Sequence, residues 1–315
     1  MNNFDIFADS AANLTDGMVA ESGVKIIPFH YIVNGEEKLC YHEGRPFGEV
    51  AKEFYTELAS GADIKTSLVC EQQFIEALTP SLEEGKDVLL VTITEALSGT
   101  FSQATKAAET LSGKYPDRKI IVFDSANASL GEGYLAYKAA KLRADGASLD
   151  ECVRWLEENK YLMNAYVTVN DLKYLRKGGS VSSVAAVAGA LLYMIPMLKA
   201  DGASPAMLTV YAKERGRRKS IDALLRAYTE FASHEIESTV CITHGDCEEE
   251  AKALAEEFKK LGASDVFIEY YDLCTGAHVG PGTIAVFFFG KDRRTPQEVA
   301  AHKKRLLFLR KKQTP

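Results

Sequence analysis

The chain has 315 residues, 46% of them hydrophobic and 26% charged, enough to bury a large core and to divide into two domains. Its 37 Lys/Arg against 44 Asp/Glu give a formal charge of −7 and a pI near 5.5. That balance excludes a general nucleic-acid binder, which needs a clustered cationic surface to neutralise phosphates.

The opening "MNNFDIFADS" carries Asp5 and Asp9 where a secretory leader would be basic and then apolar. Six cysteines (Cys40, Cys70, Cys152, Cys241, Cys247 and Cys274) are spread thinly over a chain too long to need stapling. The expectation is reduced thiols in the cytoplasm.

In chain order, "FDIFA", "KIIPFHYIV", "DVLLVTI", "KIIVFD", "AYVTV", "TVCITH" and "DVFIEYY" read as strands. Between them "FSQATKAAETLSG", "GYLAYKAAKLRADG", "SLDECVRWLEENK" and "CEEEAKALAEEFKKLG" read as helices. Ser148 caps the third of these ahead of acids in its first turn, and Gly146 closes the helix before it. The alternation predicts an α/β protein with largely parallel sheets. A boundary is placed near residue 165, where "ENKYLMNAY" passes from a charged helix into a new strand.

Residues 180–198, "SVSSVAAVAGALLYMIPML", form a run of 19 without a charge, which meets the length of a membrane span. Three serines, Gly189 and Pro196 interrupt it, and its Ala/Gly richness fits better a helix packed inside a protein. The segment 291–315 has nine Lys/Arg against two Asp/Glu, leaving 28 against 42 elsewhere. On a helix Val299, His302, Leu306 and Leu309 would share one face; it reads as a terminal helix docked on its own body, or as a contact for an anionic membrane surface or partner.

Four strand-to-turn stretches are candidates for chemistry. In "ADSAANLT" Asp9, Ser10 and Asn13 can cap the next helix, and the hydroxyls of "KTSLV" can cap the helix that follows or hold an oxyanion. "ALSGTFSQA" lacks the G-x-S-x-G of a nucleophile elbow, so Ser98 and Gly99 fit a backbone cradle for an anion at a helix start better than an attacking serine. "GAHVGPGT" sets His278 beside a Gly/Pro turn, where its imidazole can donate to a carboxylate or phosphate. Two further patterns read as decoys. "GEGYLA" follows a strand only after "SANAS" and has no acidic partner strand for a dinucleotide, and Cys241, His244, Cys247, Cys274 and His278 match no zinc module.

Taken in order, "ADSAANL", "KTS", "TITEALSGTFSQA", "VFDSANASLGEG", "NDLKYLRKGG", "GALLYMIPML", "KERGRRKS" and "HVGPGT" resemble the DegV family of bacterial lipid-binding proteins, which includes the FakB subunits of a fatty acid kinase. The resemblance runs from residue 8 to about 290. It implies a Rossmann-like domain over 1–165, a second α/β domain with a mixed sheet over 166–290, and the basic tail 291–315. It further implies a long-chain fatty acid held by its carboxylate at Thr66, Ser98, Gly99 and His278, with Val184, Val187, Ala188, Leu191, Leu192 and Ile195 lining an acyl tunnel. No cofactor, metal or catalytic residue is implied: the chain would present its ligand to a separate ATP-dependent, DAK-like kinase, met by the basic Lys213, Arg215 and Lys219. Burying about 14 methylenes at ~0.8 kcal/mol each supplies on the order of 11 kcal/mol before ordering costs, so a few polar groups suffice for the head. Ser180 stands where the family has arginine after K-G-G, Val69 replaces a proline, and Asn13 an aspartate. The rival readings are an enzyme for a small phosphorylated or carbonyl substrate with His278 as acid/base, and a regulatory protein acting through its basic tail.

Overall fold

The structure, a computed structural model, describes residues 3–42, 44–177, 194–202, 208–234 and 236–301. The first half runs β1 (Phe4–Asp9), α1 (Asp16–Ser22), β2 (Lys25–Ile27), β3 (His30–Val33), β4 (Glu36–Leu39), α2 (Phe47–Ala59), β5 (Ile64–Ser67), α3 (Glu71–Glu83), β6 (Asp87–Thr92), α4 (Thr100–Lys114), β7 (Ile120–Asp124), α5 (Leu130–Ala144) and α6 (Leu149–Asn159). The second runs β8 (Met163–Thr168), α7 (Leu172–Lys177), β9 (Met194–Ala200), β10 (Leu208–Arg215), α8 (Arg217–Phe231), β11 (Val240–His244), α9 (Glu248–Lys260), β12 (Val266–Tyr270), α10 (Leu273–Val279) and β13 (Ile284–Phe289).

The apolar runs of the first half build a parallel sheet, β2-β1-β6-β7. Strand order turns about β1, so the loops after β1 and β6 open a crevice at the carboxyl edge, where open α/β sheets bind ligands. Asp9 ties these loops together: one carboxylate oxygen accepts from Ala11 N and the other from Ile93 N. An antiparallel sheet, β4-β3-β5, is inserted between β2 and β6. The run "KIIPFHYIV" is therefore two strands in two sheets, broken at Pro28, which has no N–H to give a ladder.

The second sheet is mixed, in the order β10-β9-β8-β13-β11-β12, with β11 and β12 its parallel pair. The largely parallel sheets expected from alternation are found in β2-β1-β6-β7, and the mixed sheet that the resemblance implies for the second domain is the one observed here. β8 opens just ahead of residue 165, so the break between the two sheets lies before Met163. Along β13, Ala285, Phe287 and Phe289 join one core while Ile284, Val286 and Phe288 join another beneath α8 and α9. Burial on both faces explains the unbroken "IAVFFF".

Helix α5 lies between the two sheets, touching β1 and β6 on one side and β8, β11 and β13 on the other. Its residues Leu130 to Tyr137 are buried all round. The glycines of "GEGYLA" serve this packing and not a dinucleotide: a Cβ on Gly131 would stand 2.7 Å from the Phe287 ring, and one on Gly133 2.1 Å from Ala12 O.

Part of the uncharged run 180–198 lies outside the described residues, but residues from Met194 onward are strand β9 and not helix. No described helix is long and apolar enough to cross a membrane. Past β13 the chain returns to the first half, where Arg293 donates to the carbonyls of Ala126 and Lys160. Arg294 pairs with Asp292 and stacks 4.3 Å from the Tyr161 ring centroid. Thr295 and Glu298 cap one another where a helix begins, and His302, Leu306 and Leu309 lie outside the described residues.

Candidate functional site

A cavity of about 360 Å³ opens at the carboxyl edge of the first sheet and reaches the second. Its mouth is polar. Thr66, for which a cap and an oxyanion contact were both open, lies on β5 opposite Tyr31, with helix α10 packed against that strand. His278 lies in the last turn of α10, one turn beyond Cys274, and its Nε2 is 2.8 Å from Thr66 Oγ1. Asp272 sets the helix by accepting from Cys274 N and Thr275 N. The turn after it needs glycine at residue 280, where φ is +78° and a Cβ would enter the Tyr174 ring of α7.

Ser98 and Gly99 come from the loop after β6. The Ser98 hydroxyl is 2.8 Å from Thr100 Oγ1 and accepts from Thr100 N, and Gly99 takes the N-cap position of the 15-residue α4. Helix α4 thus begins at the mouth, a position where the helix dipole favours an anion. Thr66, Ser98 and His278 are half-buried and all line the cavity, with Gly99 exposed beside them. No lysine or arginine is found among the described lining residues, so hydroxyls, imidazole and helix dipole carry the polar end.

Inward the lining becomes apolar: Ala165 and Val167 of β8, Phe287 of β13, Val279 of α10, and Ala200 and Leu208 where β9 meets β10. The loop Ala126–Ser129 completes the wall, with Ala126 and Ser129 at φ of +51° and +53°. Non-glycine residues in that region are costly and gather where a surface has a job beyond packing. In the sequence this wall is the "SANAS" spacer ahead of α5, part of the "VFDSANASLGEG" stretch that carries the family resemblance but not one of the four candidate stretches.

Of the expected tunnel residues, Val184, Val187, Ala188, Leu191 and Leu192 lie outside the described residues. Ile195 pairs with Glu214 in the β9–β10 hairpin and is not among the described lining. Lys213, Arg215 and Lys219 are exposed. Arg215 pairs with Met194 at the end of that hairpin remote from Leu208, roughly 20 Å along the strand from the cavity wall. The cysteine pattern does not assemble as a zinc module: Cys241 and His244 are buried on β11, His244 is 4.2 Å from the Tyr270 ring, and Cys274 lies with Cys40 instead.

Comparison with known proteins agrees with this architecture. A family model described as an uncharacterised protein of the DegV family matches residues 3–291. A DegV domain-containing protein of Clostridium perfringens is 37% identical over 297 residues, 94% of this chain and 100% of that one. Two crystal structures superpose over nearly their whole length. DegV of Bacillus subtilis, described as a fatty acid binding protein, is 27% identical with a TM-score of 0.77 over 92% of this chain and 100% of its own. A DegV lipid binding protein of Thermotoga maritima is 26% identical with a TM-score of 0.79 over 93% and 100%. The family model over residues 3–291 and the 37% identical relative show that this chain belongs to the DegV family.

Proposed function

We propose that the chain binds a long-chain fatty acid, its carboxylate at Thr66, Ser98, Gly99 and His278 and its acyl chain in the apolar interior. The observation that carries this is a single cavity with a polar mouth on a helix N-terminus and an apolar wall drawn from both sheets. Relatives described as binding fatty acid or lipid support the same reading. The chain contributes positioning and charge stabilisation: the anion meets α4, the imidazole and two hydroxyls, while burial of the tail supplies affinity. Carboxylate chemistry then falls to a separate DAK-like kinase that transfers phosphate from ATP, with the exposed Lys213, Arg215 and Lys219 as the surface that meets it.

Mass spectrometry of an organic extract of the purified chain tests this reading, with an unrelated protein as control. A stoichiometric fatty acid is expected, and Ser98→Ala with His278→Ala should each reduce retained lipid roughly tenfold or more, since hydrogen bonds to a charged group are worth about 1.5–3 kcal/mol. Unchanged retention removes the head-group assignment. An empty extract, with no uptake of offered fatty acid, favours the enzyme in which His278 acts on a small substrate.

A further inference from the structure

Cys40 follows β4 and Cys274 lies in the first turn of α10, 234 residues apart in sequence, yet their sulfurs are 3.4 Å apart. The Asp272 carboxylate joins them, so one donor atom from each of the three lies within 4.8 Å of the other two. Cys40 and Asp272 are fully buried, and Cys274 is 7% exposed on the side that lines the cavity. The carboxylate is held in place by the N–H groups of Cys274 and Thr275, the outer-shell support typical of metal-binding acids. Two sulfurs and one oxygen suit a soft, tetrahedral cation. Metal–sulfur bonds of about 2.3 Å place two sulfurs of a tetrahedron ~3.8 Å apart, so the pair need open by only a few tenths of an ångström.

We propose that Cys40, Asp272 and Cys274 bind one thiophilic divalent cation of the zinc class, reached through the cavity. On binding, two S–H bonds break, two metal–sulfur bonds form, and two protons pass to solvent with no change of oxidation state. The cation fastens the start of α10 to the end of the β3–β4 hairpin, and so fixes the helix that carries His278.

The test is titration of the full chain with Co²⁺, followed by thiolate-to-cobalt charge-transfer absorption in the near ultraviolet. The band should saturate at one equivalent, be displaced by Zn²⁺, vanish in Cys40→Ser and Cys274→Ser, and persist in Cys70→Ser, which removes an exposed thiol outside the cluster. The unmodified chain should also retain one zinc through gel filtration, a measurement that needs no variant to fold. No band, no retained zinc, or a band lost only in Cys70→Ser overturns the proposal. A Cys40–Cys274 disulfide in freshly purified, metal-free protein also overturns it, assigning the pair to redox chemistry instead.

Discussion

A methyl group on Gly133 would lie 2.1 Å from a backbone oxygen, whereas one on Gly113, on α4, would meet nothing within 4 Å. The two glycines should therefore respond oppositely to alanine. Gly133→Ala should cost about 1–3 kcal/mol through overpacking, and Gly113→Ala should gain about 0.5–1 kcal/mol from helix propensity, both read from denaturant midpoints. Beside Gly133 on α5 stands Glu132, whose carboxyl burial pushes well above the usual carboxylate range. Its folded-state pKa exceeds the unfolded value, so the native state keeps a proton that the unfolded chain has lost, and stability falls as pH climbs above 4.5. Glu132→Gln removes that slope, so its stability relative to the parent should improve between pH 5 and pH 8; a constant difference would contradict the assignment. Not every residue role was legible beforehand. Ser98, Gly99 and His278 stood out by the turn chemistry around them, but Thr66 could equally have been a helix cap, because the group that gives it another role lies 212 positions away.

Amphipathic α4, α6 and α9 follow from periodicity. β1 and β6, buried on both faces, are legible only as short apolar runs, and β13, buried likewise, is absent from the strands read in the sequence. The strand β9 was hidden in an uncharged run whose composition suits a buried helix, and its pairing with β8 and β10 decides between them. Site geometry also depends on elements: β5 and α10 meet through the Thr66–His278 hydrogen bond. Thr66→Val keeps a β-branched side chain on the strand while removing the donor and acceptor. Fatty-acid retention should fall roughly tenfold with little loss of stability, measured by exchange of a labelled acyl chain alongside thermal unfolding. An equal fall in both would make the bond structural.

At the scale of the whole molecule, the cavity wall is shared between the two sheets, so a ligand held there should stabilise both together. Loading delipidated protein at a hundredfold excess over Kd should add about 2.7 kcal/mol, seen as a higher urea midpoint at unchanged slope. A shift seen by only one of two probes, one in each half, would show that the ligand grips a single domain. Sheet order has a further consequence, for synthesis. β13, the last strand among the described residues, takes a central place in the second sheet between β8 and β11. Until a ribosome has released that strand, β8 and β11 each present an unsatisfied edge, and α5 has no Phe287 to rest against. A nascent chain can complete its first sheet early and then must wait, edges bare, for β13 to thread into the middle; translation pausing there would favour mispairing of β8 and β11.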